Sequence, residues 1–574
     1  MLPTWKQWLP GLAAMPVMTR QSVLPDIVAG LITGMVLIPQ AVAFAQLAGL
    51  PSSAGLAASV LPMIAYALLG SSRTLSVGPV SVASLMVAAV LAQVSEPPML
   101  VASILAVESG VFLLLLVALR LHVLARVFSH PVLGGFTVGA AILIVLSQAP
   151  ALTGAAKGAL MDASRWLNAP TLVAGLASLA ALWTYNNVLA VQVELRCKRF
   201  LGATAALIAS RAGPVLLIAA TGLALIVSST PLQWPVVGAI NGALLGVDVA
   251  AFANFAPVLW WHLFPSAVLI AIVGYVESLA VAETLAQRRR ETIDPRQELI
   301  ALGASNLVAS ITGAMPIAGG LSRSMVNFAG GARTQFAAVV SAFVVLAFVS
   351  VGGDLFAYLP KFALAAIIIV AVLPLIAFGE ITRLLRTDLR DALVWLTTAG
   401  GVLALGLEGG LLLGAAIGLI GYLERSIRPH VATLGRVPGT EHFRNIGRHA
   451  VEQFPGLLLL RFDDAISFLN APHLREFVAR STAIDTSIKH VVLSCAAVNH
   501  VDSSGTHILH QMAQDLKEIG VGFHLAEVKG PVQDALVRVG FGKGFHGATF
   551  LSLQAAVAAL HPLTIQVKKA EPND

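Results

Sequence analysis

Two short stretches decide the fold: Ser76-Val77-Gly78-Pro79-Val80-Ser81 and Gly319-Gly320-Leu321-Ser322-Arg323-Ser324. Each breaks an apolar region with glycine and small polar residues. Proline suits the first turn of a helix, where its missing N–H costs nothing. Gly78-Pro79 therefore predicts a helix that begins there, at membrane depth. Gly319-Gly320 predicts a second, ending near Gly330-Gly331. The positions correspond: Gly78 lies 54 residues after Leu24 (78 − 24), and Gly320 lies 56 after Phe264 (320 − 264). Paired interrupted segments in two halves of a chain point to the binding site of a secondary transporter.

The surrounding chain supports a membrane setting. Of 574 residues, 57% are hydrophobic and 11% charged, with mean hydropathy +0.83. Soluble domains carry about 25% charged residues, so a cytosolic enzyme, a disordered chain and a disulfide-rich module are excluded. The two cysteines, Cys197 and Cys495, make no framework or metal cluster. The net charge of +6 suits basic loops facing an anionic leaflet, and no basic run with interleaved aromatics suggests nucleic acid. Residues 1–22, with Trp5, Lys6 and Trp8 among three prolines, suit an interfacial segment or a loose tail rather than a cleaved signal.

A span needs about 20 apolar residues. On that rule about fourteen segments fit: 24–43, 50–70, 77–94, 98–119, 127–148, 171–192, 211–229, 264–287, 293–313, 321–332, 335–353, 361–378, 390–406 and 409–424. Basic residues follow the even-numbered ones, as at Arg73, Arg120, Arg196, Arg288 and Arg383. The positive-inside rule then puts both termini in the cytoplasm, against Lys157, Arg165 and Lys361. Each break falls in the third segment of a seven-segment half, and seven is odd, so the second half runs inverted. After about residue 430 charge rises. Strands Leu457–Phe462, Ile488–Leu493 and Val521–Leu525 alternate with helical stretches 470–481, 503–519 and 531–540, which predicts a small α/β domain. The domains are thus 1–22, a transmembrane part 23–428, and a cytoplasmic part 429–574.

The physics gives the sign of the ligand. Helix N-termini offer free N–H groups and a partial positive charge, so two facing each other make an anion site. Arg323 adds a full charge, and an arginine at bilayer depth must face protein or water.

At these residues the chain resembles the sulfate permease (SulP) family of anion transporters. The resemblance runs through Ile38-Pro39-Gln40-Ala41-Val42-Ala43-Phe44-Ala45, Gly70-Ser71-Ser72-Arg73, both breaks, and Val501-Asp502-Ser503-Ser504-Gly505, which is similar to a STAS domain. It implies an α-helical polytopic membrane protein, a seven-plus-seven inverted repeat with core and gate domains, and a C-terminal STAS domain. It further implies a homodimer with elevator-like movement in the cell's inner (plasma) membrane. The anion would sit among Gln40, Phe44, Gly78, Pro79, Val80, Ser322, Arg323 and Ser324. Gln40 follows Pro39, where a span can unwind, and its amide can donate to an oxyanion. Phe44 lies one turn on and can present a weakly positive ring edge. Simple packing is the alternative for both.

Glu277, in the eighth segment, needs a partner or a proton. Alternation between pairing Arg323 and holding a proton would couple proton entry to anion entry. Glu plus Arg resembles proton-coupled sulfate and dicarboxylate carriers; sodium-coupled bicarbonate carriers tend to lack the arginine. The alternative is a static ion pair. Glu108 has no role by resemblance, and Glu283 points to another face. Ser503 occupies the phosphorylation position of stand-alone STAS proteins. His500, His507 and His510 lack the acidic or thiol partners of a metal site.

The expected function is secondary transport of an inorganic oxyanion: sulfate with protons, or bicarbonate or a dicarboxylate with protons or sodium. A non-transporting anion sensor signalling through the STAS domain to an unidentified partner is the reading from a different class. No cofactor and no enzyme activity are expected, since no Walker loop, zinc motif or nucleophile elbow appears in context.

Overall fold

A computed structural model describes residues 20–120, 129–154, 169–227, 234–236, 257–352, 359–376, 378–538 and 547–561. The N-terminal segment, Lys157, Arg165 and nearly all of the break 230–250 lie outside them. The chain divides into two compact units, Met1–Gly418 and Leu419–Asp574.

In the first unit, α1 (Arg20–Leu47) is followed by two short helices, α2 (Ser52–Ala57) and α3 (Leu61–Leu69). The two-residue strand β1 (Val77–Gly78) leads into α4 (Ser81–Leu91). Then come α5 (Pro98–Ala118), α6 (His130–Thr153) and α7 (Ala169–Thr184), which continues through a π-turn (Tyr185–Leu189) into α8 (Ala190–Arg211) and then α9 (Gly213–Val227). The second half holds α10 (Pro257–Arg289), α11 (Pro295–Ile311), strand β2 (Ala318–Gly319), α12 (Leu321–Ala329), α13 (Phe336–Gly352), α14 (Lys361–Val372), α15 (Phe378–Thr387) and α16 (Leu389–Ile427). Among the described residues eight helices are long and apolar enough to cross a membrane.

Four expectations change. Pro79 is not in the first turn of α4: β1 pairs antiparallel with β2, Val77 opposite Gly319, so extended backbone runs on through Pro79 and the helix starts at Ser81 after Val80. The span 50–70 is two helices, whereas 390–406 and 409–424 hold as two helices that meet in a kink at Gly406, whose φ is 82° and ψ 178°. Nor does the chain unwind after Pro39; α1 is helical throughout, held along α13, where Ser341 Oγ donates to the Gly30 carbonyl at 2.9 Å. The charged group Arg196–Arg199 ends no helix but rides within α8.

Irregular backbone at this depth needs internal partners. Asn306 on α11 supplies two: its Oδ1 accepts from Ile317 N (2.9 Å) and its Nδ2 donates to Ile317 O (3.2 Å). Ser278 on α10 accepts from Gly319 N (2.7 Å). The fully buried Glu298 ties the halves together, accepting from Tyr66 Oη (2.7 Å), Ser71 N (2.8 Å), Ser71 Oγ (2.7 Å) and Ser72 N (3.1 Å).

The second unit is a six-stranded sheet. Its strands are β3 (Val431–Arg436), β4 (Phe443–Asn445), β5 (Leu457–Phe462), β6 (His490–Ser494), β7 (Gly522–Ala526) and β8 (Thr549–Phe550), in spatial order β4-β3-β5-β6-β7-β8. The last four are parallel. Leu458, Leu460 and Phe462 pack with Leu474 of α17 (Ala471–Ile484) and Leu509 of α18 (Ser503–Glu518), while Leu459 packs with Ala556 of the C-terminal helix Leu553–Leu560. Burial on both faces explains the continuous apolar runs of these strands.

Candidate functional site

The antiparallel β1–β2 pair sends α4 and α12 away from a common crossing point, so their N-termini converge. The crossing is stitched by Gly320 N donating to Ser76 O (3.1 Å), Ser76 N donating to Ser324 Oγ (2.9 Å), and Asn327 Nδ2 donating to Thr74 O (3.0 Å). Neither helix has a side-chain cap. First-turn N–H groups of both are therefore open to a ligand.

Beside this crossing lies a cavity of about 470 Å³. Gln40, Phe44, Val80, Ser322, Arg323 and Glu277 all line it. Gly78, Pro79 and Ser324, expected to line it as well, are not among its lining residues. Arg323 Nη1 donates to the Pro79 carbonyl at 2.5 Å, and a Cβ on Gly78 would stand 3.4 Å from Arg323 Nη2. Ser324 Oγ is occupied at the crossing, donating to Gly320 O at 2.7 Å. The Arg323 side chain folds back toward Gly78 and Pro79, while Ser324 turns into the crossing. Gly320 makes that possible, since a Cβ there would meet Arg323 Cζ and Nη2 at 2.9 Å.

Arg323 is 1% exposed, yet its Nε and Nη2 have no hydrogen-bond partner. Two donors of a buried cation thus stand ready beside the cavity. Glu277 shares the cavity but is neither hydrogen-bonded to Arg323 nor within ion-pair distance of it; the two groups act on each other through space. Glu108 is buried in α5 with Oε2 unpartnered, and Glu283 is exposed.

Sequence reasoning missed two polar lining residues, Ser81 and Asn186. The signal for Asn186 was present: two adjacent amides, Asn186-Asn187, inside an apolar run.

In the second unit Ser503 is exposed at the start of α18. The helix N-terminus is already capped by Asp502, whose Oδ1 accepts from Gly505 N (2.6 Å) and whose Oδ2 accepts from Phe468 N (2.9 Å). His507 and His510 pair with Gln511 and Gln514, and no metal-holding group of side chains occurs among the described residues. Burial pushes the Cys495 thiol up to about 12, which keeps it protonated and unreactive.

The Sulfate permease family profile matches residues 23–398, and the STAS domain profile matches 448–556. Arabidopsis thaliana "Sulfate transporter 4.1, chloroplastic" is 32% identical over 546 residues, covering 90% of this chain and 76% of its own. A "Probable sulfate transporter" of Mycobacterium tuberculosis is 31% identical over 559 residues, covering 93% and 95%. The structure of murine Solute Carrier 26 family member A9 in the inward-facing state aligns with a TM-score of 0.85 at 24% identity, over 97% of this chain and 94% of that one. The transmembrane domain of a cyanobacterial bicarbonate transporter aligns at 0.57 with 19% identity, over 70% and 98%. With this fold, a site built from two broken segments and profile matches across both parts, the chain belongs to the sulfate permease family, a multi-pass membrane family of anion transporters rather than enzymes.

Proposed function

We propose that the protein is a secondary active carrier of sulfate, taken up with protons through elevator-type alternating access. One observation carries the reading. Two uncapped helix N-termini, the unpartnered donors of Arg323 and the amide of Gln40 meet at a single cavity. That donor set, with one full positive charge, favours an oxyanion. The sulfate transporters among its relatives favour sulfate within that class. The plasma membrane, a homodimeric assembly and a cytoplasmic STAS domain complete the proposal.

Charge counting supports proton coupling. Arg323 and an ionised Glu277 cancel, so a dianion entering the cavity gains no net attraction from that pair. Repulsion between two unit charges ~6 Å apart is about 3 kcal/mol at an effective dielectric of ~20. A proton on Glu277 removes that term, and its departure restores it. Glu277 lies beside the site without being locked to Arg323, which leaves it free to exchange a proton.

The test is labelled-sulfate uptake into proteoliposomes, with and without an inward proton gradient. Bicarbonate and succinate serve as competitors, and sodium replaces the proton gradient in a parallel arm. Gradient-driven sulfate accumulation is expected. Sodium-dependent bicarbonate uptake without sulfate uptake would overturn both substrate and coupling, and binding without turnover would favour a sensor.

A further inference from the structure

The cavity has two unlike walls. Gln40, Ser81, Ser322, Arg323 and Glu277 supply the polar side. The facing elements contribute apolar groups, among them Leu182, Pro214, Ile367, Val370 and Pro374, with a single polar exception, Asn186. Asn186 sits in the π-turn Tyr185–Leu189 between α7 and α8. Such turns carry an extra residue, shift side chains off the regular helical face and recur at functional sites.

The two neighbouring amides behave differently. Asn187 Nδ2 donates to its own helix, to Trp183 O at 2.9 Å. Asn186 has no hydrogen-bond partner among the described residues and borders the cavity. The π-turn is held from behind. Tyr185 Oη donates to the Ala209 carbonyl, and the Tyr185 ring packs on the corner between α8 and α9. Gly213 leaves the room for it, since a Cβ there would stand 2.7 Å from the ring.

We propose that Asn186 is a specificity-determining residue, donating its amide N–H from the otherwise apolar wall to an oxygen of the bound anion, with Tyr185 as its positioning residue. This rests on the carrier reading above. A tetrahedral dianion engaged by Arg323 and two helix N-termini still has an oxygen directed at the opposite wall. An amide donor there favours a doubly charged, four-oxygen anion over a singly charged planar one. The other residues of that wall offer the fourth oxygen nothing.

The test measures sulfate and bicarbonate affinity on the purified full chain, by ligand-dependent thermal shift and by uptake in proteoliposomes. Asn186→Ala raises the half-saturating sulfate concentration about tenfold, the loss of one hydrogen bond to a charged group, and leaves bicarbonate within about threefold. Asn186→Asp, of nearly the same shape, weakens sulfate by ~100-fold through like-charge repulsion. Tyr185→Phe keeps the ring, loses the hydroxyl contact, and shifts sulfate affinity the same way by a smaller factor. Wild-type affinity in both Asn186 variants, in a chain that binds sulfate normally, overturns this assignment alone. An equal loss for both anions reduces Asn186 to a structural role and also overturns it. A wild-type chain blind to both anions overturns the carrier reading and this inference together.

Discussion

Arg323→Met separates a binding arginine from a structural one. Methionine keeps an unbranched stem of similar reach and removes the charge. Arg323 is 1% exposed, makes one hydrogen bond, to Pro79 O, and leaves Nε and Nη2 unpartnered. Burying a charge costs several kcal/mol after relaxation. Against that stands the Pro79 carbonyl, whose loss of a partner costs about 1–3 kcal/mol. The ligand-free variant should therefore melt no lower than wild type. Affinity moves the other way. A unit charge pair at ~4 Å and an effective dielectric of ~20 is worth about 4 kcal/mol, or roughly a thousandfold in Kd. A ligand at 100 times Kd stabilises its protein by about 2.7 kcal/mol, so wild type should show a clear sulfate-induced rise in melting temperature and the variant none. The assay is thermal unfolding in detergent across a sulfate series. A variant that melts markedly lower without ligand, yet keeps the sulfate-dependent rise, would refute the reasoning and make Arg323 a structural residue.

Glu277→Gln should leave sulfate exchange intact and abolish its dependence on a proton gradient, read as uptake at fixed internal pH with and without an inward gradient. Gly320→Ala puts a methyl 2.9 Å from the guanidinium, whereas Gly78→Ala meets it at 3.4 Å, an ordinary contact. The first should weaken sulfate binding about tenfold and the second hardly at all, since neither backbone needs glycine for its dihedral and only the arginine differs. In the STAS domain, His524 Nε2 lies 3.2 Å from His490 Nδ1, and Ala548 N donates to His524 Nδ1. Burial, then His490, pushes His524 down to about 4 from 6.5. The unfolded chain binds the proton first, so the domain should lose stability as pH falls from about 6.5 to about 4. Hydrogen exchange of β6 and β7 in the full chain should show this, and His524→Gln should flatten it.

The broken segments were legible because glycine and proline interrupt apolar runs at matching places, and Arg323 because a cation at bilayer depth needs a reason. The α/β domain was legible from buried strands alternating with amphipathic helices. What stayed hidden depends on side chains reaching across the fold. Nothing local shows Asn306 and Ser278 satisfying the crossing backbone, Arg323 folding back toward Gly78 and Pro79, or Ser324 turning into the crossing. Pro39 looked like a place to unwind, yet α1 stays helical through it, packed along α13. Asn186-Asn187 stood out in composition, but which amide meets the cavity depends on a π-turn that periodicity does not reveal.

The ladder between β1 and β2 also constrains how the molecule is made. Val77 and Gly319 are 242 residues apart (319 − 77). At ~5–20 residues per second, synthesis of that interval takes about 10–50 s. Throughout that time the extended backbone of the first half has no partner, at a depth where an unpaired N–H or C=O costs several kcal/mol. The nascent chain must keep it within the insertion machinery or shield it with its own helices until β2 emerges. Ribosome stalling before residue 318 would leave an open strand edge inside the bilayer, a ready mark for membrane quality control.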